Sequence, residues 1–313
     1  MHAVGIPVFA DVAELVDASG LGPGTREGVE VRVLSSAYRG PPPGPQYPLP
    51  MNAENERRSG VPPKLEVLET LAESDTGRPP ILFVHGAGHA AWCWKHWMDG
   101  VAAAGYPAYA VSLRGHGGSG GSLLKAHLDS YVEDVIRTAA TLPRQPVLVG
   151  HSLGGLVVQR TLARYPARAG VLVSSIPARP GLGTLVSLFK QHPSDGFKVL
   201  AGGSLPMRPE YLFNELGPEE AAGNVARTGG ESPLAQFQVL FHRPVTDPLG
   251  DVPILAFGTP DDMLVPIGDV RDTARRFGAD LIEFPGMGHD LMLDRRRSEP
   301  LEAMVGWLDA KVS

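Results

Sequence analysis

Five residues, Gly150-His151-Ser152-Leu153-Gly154, sit between an apolar run and a helical pattern, and no other stretch constrains the chain as much. Pro146-Val147-Leu148-Val149 reads as a buried strand, and residues 153–165 read as a helix stopped by Pro166. A serine on a strand-to-helix corner is held in a strained turn that pushes its hydroxyl out of the sheet. Glycines two places before and after it let the neighbouring backbones approach without a clash. On an arbitrary loop the same letters would carry little weight. Here strand, turn and helix are all present, and they mark Ser152 as a nucleophile.

The rest of the chain supplies the sheet that such a corner needs. Short apolar runs at 29–34 and 65–71 alternate as half-buried strands do. Further runs at 81–84, 109–113, 147–149, 171–174, 254–257 and 281–284 are continuous, as expected of strands covered on both faces. Helical patterns such as 94–104 and 131–142 fall between them. Strands alternating with helices imply an α/β protein with a mostly parallel, eight-stranded sheet flanked by helices.

Two segments break the rhythm. Residues 40–63 are proline-rich, which implies an extended or irregular course. Residues 177–250 show no strand pattern and read as helices at 182–188, 210–216, 219–227 and 234–242, the last with Ser232 as N-cap and Pro233 at its first position. The expected organisation is therefore an N-terminal extension over 1–63 with the first strand and the proline-rich loop. A core over 64–176 and 251–313 follows, with a helical lid inserted over 177–250.

The bulk properties narrow the function classes. A net charge of −6 with no basic stripe argues against a nucleic-acid partner, and Arg295-Arg296-Arg297 reads as a solvated turn. The single cysteine, Cys93, allows neither an internal disulfide nor a thiolate metal site and fits a reducing compartment. Residues 1–20 carry Asp11, Glu14 and Asp17 and lack the basic start of a secretory signal. No apolar stretch approaches the roughly 20 residues of a membrane span, so a cytoplasmic location is expected.

Serine is a poor nucleophile near neutral pH and needs a base, which in turn needs an orienting carboxylate. His289, in Phe284-Pro285-Gly286-Met287-Gly288-His289-Asp290 after the last strand, is the candidate base. The acid is sought in Gly258-Thr259-Pro260-Asp261-Asp262, where two adjacent aspartates compete; counting three residues on from the glycine selects Asp261. A tetrahedral intermediate also needs backbone N–H donors, each contributing about 10²–10³-fold in rate. Leu153, next to the serine, and Ala87, in His85-Gly86-Ala87-Gly88-His89 after the strand at 81–84, are the candidate oxyanion donors.

Other patterns carry less. His85, His89 and His96 are not spaced to aim at one metal, and no carboxylate lies beside them, so no metal is expected; His85 and His89 are expected to hydrogen-bond the oxyanion loop. Residues 114–121, glycine-rich, lack the Gly-Lys-Ser/Thr ending of a phosphate loop and read as a turn after a strand. The aromatics Phe189, Phe197, Tyr211, Phe213, Phe237 and Phe241 are candidates to line an apolar pocket under the lid.

At this point the chain resembles an α/β-hydrolase of the esterase type, in which the triad runs Ser, Asp, His along the sequence. His85-Gly86-Ala87-Gly88-His89-Ala90-Ala91-Trp92-Cys93-Trp94 is similar to the loop of plant methylesterases and hydroxynitrile lyases. Gly286-Met287-Gly288-His289-Asp290-Leu291-Met292-Leu293 resembles the end of many bacterial members. The likeness covers residues 78–176 and 251–313. It favours Asp262 as the acid, through the Asp-x-x-Val-Pro match ending in Val265-Pro266. The lyases carry Thr and Lys where this chain has Gly86 and Asp290, which tilts the resemblance toward ester hydrolysis. It implies cleavage of a small, partly apolar carboxylic ester or thioester through an acyl-enzyme, with no cofactor. Acyl transfer by the same triad is the nearest alternative, and a lyase or binding protein on the same fold is the alternative from another class.

Overall fold

The eight apolar runs become eight strands of one sheet. In the computed structural model, residues 62–312 are described, together with the backbone of 30–32. The strands are β1 (Glu30–Arg32), β2 (Val67–Thr70), β3 (Ile81–Val84), β4 (Ala108–Val111), β5 (Val147–His151), β6 (Ala169–Val173), β7 (Ile254–Gly258) and β8 (Asp280–Glu283). Their order across the sheet is β1-β2-β4-β3-β5-β6-β7-β8. Only β2 runs against its neighbours, pairing antiparallel with β1 and β4; all other pairs are parallel. The rest of the expected 1–63 extension, apart from 62–63, lies outside the described residues.

Alternation along each central strand splits the core into two layers. Leu82, Val84, Leu148 and Leu172 face one cluster, while Ile81, Phe83, Val147, Val149 and Val171 face the other. The helices that complete these layers are α1 (Lys95–Ala103), α2 (Leu128–Ala139), α3 (Leu153–Leu162), α9 (Ile267–Phe277) and α10 (Ser298–Lys311). Buried residues of α1 and α10, among them Trp97, Met98, Met304 and Leu308, join one cluster. Those of α2, α3 and α9 join the other. Each fully buried leucine or valine contributes about 1.5–3 kcal/mol. This explains why the central strands read as unbroken apolar runs.

Between β6 and β7 come α4 (Leu182–Gln191), α5 (Pro193–Leu200), α6 (Pro209–Leu212), α7 (Pro218–Val225) and α8 (Pro233–Phe241). Ser232 caps α8 as expected, its hydroxyl accepting the Ala235 N–H at 3.3 Å. The helix expected over 210–216 stops at Leu212, and Phe213 is extended, with φ −131°. Tertiary bonds cause the break: the Leu212 carbonyl accepts the Asp290 N–H at 3.0 Å, and Asp294 accepts the Glu215 N–H at 3.3 Å. The segment is thereby tied to the loop that carries His289. Among the described residues no helix is long and apolar enough to cross a membrane.

Candidate active site

Ser152 sits where β5 ends and α3 begins, with φ 52° and ψ −117°. A non-glycine residue in such a conformation costs on the order of 1–3 kcal/mol and persists only where its surroundings hold it. Here the Ser152 N–H donates to the Val173 carbonyl at 2.9 Å, and the Ser152 carbonyl accepts the Gly155 and Ile176 N–H groups at 3.0 and 3.1 Å. The flanking glycines are required by close approach. A Cβ at Gly154 would collide with the carbonyl oxygens of Val84 and His85, and one at Gly150 with that of Gly154.

His289 follows β8 and is 2 % exposed. Its Nδ1 donates to Oδ2 of Asp262 at 2.7 Å, and Oδ1 of the same carboxylate accepts the Leu264 and Val265 N–H groups at 2.8 and 2.9 Å. Of the two competing aspartates, Asp262 is therefore the one brought to the imidazole. Asp261 is exposed and has a different task, accepting the Gly286 N–H at 2.7 Å where the His289 loop turns through φ +86°. Burial disfavours charge on His289, but the Asp262 carboxylate, aided by Asp290, outweighs it and holds the imidazole above the usual histidine range.

Ala87, in the loop after β3, borders the same space. Leu113 N–H donates to His85 Nε2 at 2.9 Å, so the proton of His85 is on Nδ1, which donates to the Gly86 carbonyl at 2.8 Å. The His89 N–H donates to that carbonyl as well, at 3.2 Å. In a trans peptide C=O and N–H point opposite ways, so clamping the Gly86 oxygen turns the Ala87 N–H away from both histidines. The Leu153 N–H opens α3, where the first-turn N–H groups lack intrahelical partners.

Ala87, Ser152, Leu153 and His289 line one cavity with about 690 Å³ of empty space, its mouth included. Leu188, Val199, Val239 and Leu240 of the inserted helices, with Leu205 and Met207 from the segment between α5 and α6, close it. The aromatic lining expected of the insertion is absent among these residues, and its walls are aliphatic. Phe189 packs on Phe197 at 4.9 Å and Phe237 on Phe241 at 4.8 Å, while the buried Tyr211 donates its hydroxyl to Asp195 at 2.5 Å. Those rings satisfy one another or neighbouring side chains instead of facing the cavity.

Residues 81–305 match the family described as "Alpha/beta hydrolase family". The chain belongs to that family. A probable esterase of rice, Oryza sativa, is 33% identical over 112 residues, which cover 35% of this chain and 43% of the rice protein. The match thus spans under half the length of that relative. A monoacylglycerol lipase of Mycolicibacterium smegmatis is 26% identical over 251 residues, covering 74% of this chain and 88% of the lipase. The solved structure of an esterase from Exiguobacterium antarcticum superposes with a TM-score of 0.61 at 18% identity, over 79% of this chain and 96% of that one, and shares its fold.

Within this α/β hydrolase, two buried ion pairs stand behind the loop of Ala87. His89 donates from Nδ1 to the Ala87 carbonyl at 3.0 Å and from Nε2 to Asp290 at 3.0 Å, so both nitrogens carry protons. Burial opposes that charge, and the Asp290 carboxylate overcomes it, raising His89 and holding Asp290 below the usual carboxylate range. His116 faces Glu231 of the insertion at 3.3 Å; burial opposes both charges, and each partner outweighs it for the other. Glu231 also accepts the Tyr131 hydroxyl at 2.6 Å and the Gly88 N–H at 3.4 Å. The Gly229 N–H donates to the Gly88 carbonyl at 2.7 Å. An aspartate directly after His289 was the one visible signal for the first pair.

His151 is pushed down to about 3, chiefly by burial, and stays neutral, donating from Nε2 to the His289 carbonyl at 3.2 Å. Among the described residues, His151, His289 and Asp290 lie closely enough for their donor atoms to share an ion. Hydrogen bonds to the His289 carbonyl, Asp262 and His89 engage His151 Nε2, His289 Nδ1 and Asp290 Oδ2, while His151 Nδ1 and Asp290 Oδ1 have no hydrogen-bond partner among the described residues. His96, set apart from His85 and His89, bonds Ser298 at 3.0 Å near the surface.

Proposed function

We propose that this chain is a serine hydrolase of carboxylic esters or thioesters, acting on a small, partly apolar substrate through an acyl-enzyme. The observation that carries the reading is the 2.7 Å His289–Asp262 bond on the wall of an aliphatic cavity that also holds the strained Ser152. Ser152 Oγ attacks the ester carbonyl while His289 Nε2 takes its proton, and Asp262 orients the imidazole and stabilises its charged form. The Ala87 and Leu153 N–H groups receive the developing oxyanion. His289 then protonates the departing alcohol or thiol. Water attacks the acyl-enzyme with His289 again as base, and Ser152 is restored. These steps draw on protein groups and water alone.

Residues 177–250 serve as the lid of this site, and 64–176 with 251–313 as its catalytic core. The names of the rice and mycobacterial relatives support ester cleavage as the reaction class. The test is p-nitrophenol release from p-nitrophenyl esters of increasing acyl length, wild type against Ser152→Ala. Turnover that falls at least about 10³-fold in the variant is the expected result. Full turnover by Ser152→Ala, or silence of the wild type on every ester, contradicts the reading.

A further inference from the structure

The cavity described above is aliphatic except at the reacting end and at two points on the inserted helices. Thr184, in the first turn of α4, is 8 % exposed and lines the cavity, and its Oγ1 is buried without a hydrogen-bond partner. Gln236, on α8, lines the same cavity, and its Nε2 is buried without a partner. The amide orientation of Gln236 is fixed from outside, because its other terminal atom accepts the Leu205 N–H at 3.0 Å and must be the oxygen. The end left over is a donor.

A buried polar atom is normally paired, so two unpaired ones on residues that line an otherwise aliphatic cavity are costly unless a ligand completes them. Neither has a part in the attack on the carbonyl, which Ser152, His289 and the two backbone N–H groups carry out. Both can donate a hydrogen bond, which calls for an acceptor. Among the described residues no Lys, Arg, Asp or Glu lines the cavity, and the charge on His89 is answered by Asp290. An ionised group placed against Thr184 and Gln236 would therefore lose its water without gaining a counter-charge.

We propose that Thr184 and Gln236 are specificity-determining residues that bind a neutral oxygen, keto or hydroxyl, carried on the apolar part of the ester. The inference rests on the ester-hydrolase reading and names the substrate class within it. A plain hydrocarbon chain fills the aliphatic walls but leaves both donors unpaired, and sites built to hydrogen-bond a group discriminate strongly against analogues that lack it.

The experiment compares kcat/KM for p-nitrophenyl alkanoates with that for the same esters bearing a keto group stepped along the chain. A mirrored set of acetate esters carries the keto group in the alcohol. The wild type should prefer one keto position over the matched plain ester by about tenfold or more. In Thr184→Val, which keeps the shape and removes the hydroxyl, the ratio of keto to plain should fall at least about threefold. Gln236→Met keeps nearly the same volume and removes the donor, and should lower the same ratio. A general loss of folding or turnover lowers both rates and leaves their ratio unmoved.

Ser152-dependent turnover of plain esters with no keto preference at any position overturns this inference and leaves the hydrolase reading standing. So does a preference that both variants retain. A wild type that cleaves no ester overturns both.

Discussion

His289 is buried, which by itself disfavours the imidazolium, yet the carboxylate of Asp262 at 2.7 Å raises its pKa above the ordinary histidine value of about 6.5. In the proposed role of base His289 works only when neutral, so activity is expected to rise as pH climbs through that raised pKa. The acid limb of kcat/KM is therefore expected to have its midpoint above pH 6.5. Asp262→Asn removes the principal cause of the increase and leaves burial to act. In this variant the limb should move to lower pH while kcat drops by about 10⁴-fold, as loss of the orienting carboxylate does in other triads. A pH–rate profile of both proteins checks the sign, and an unmoved limb would assign it to another group. Ser152 and His289 were legible because their neighbours are local: a strand, a corner, a glycine-rich loop. Asp261 and Asp262 were not separable by residue pattern alone. The difference between them lies in where Leu264 N–H, Val265 N–H and the imidazole meet one carboxylate.

At the scale of elements, β5 and α3 approach β3 so closely that the corner holding Ser152 tolerates no side chain at Gly154. Gly154→Ala drives a methyl into the Val84 and His85 carbonyls. These belong to the strand and loop that also present Ala87, so the variant should lose stability and the proposed oxyanion geometry together. A destabilisation of about 1–3 kcal/mol is expected from overpacking, measured by urea unfolding, with kcat falling more than KM changes. A silent substitution would mean that α3 is free to shift. The strands were readable because burial on both faces leaves an unbroken apolar run. The inserted helices were read less well: the helix expected at 210–216 ends at Leu212 because the loop of Asp290 and Asp294 claims its backbone groups. Contacts across some 80 residues leave no trace in local periodicity.

Over the whole molecule, Glu231 fastens the inserted helices to the core by meeting His116 from the loop after β4, Tyr131 of α2 and Gly88 of the loop after β3. His116 is raised, so its contribution is complete below its unfolded value of about 6.5 and is lost as pH rises through its folded pKa. Glu231 is lowered, so its contribution is present above about 4.3 and is lost as pH falls through its folded pKa. The pair is thus fully formed between about pH 4.3 and 6.5. Glu231→Gln should cost about 3–5 kcal/mol within that window, and the deficit should shrink toward alkaline pH. Urea unfolding of both proteins from pH 5 to pH 9 measures it, and a deficit independent of pH would remove the charged pair from the account. Such pairs join residues distant in sequence, and a reader of the sequence has no means of matching one buried histidine to one glutamate among many. The proposed role of Ser152 is tested by the intact mass of the protein after treatment with a fluorophosphonate, followed by peptide mapping. One adduct is expected, on Ser152 and absent from Ser152→Ala; no adduct, or one on another residue, would contradict Ser152 as the nucleophile.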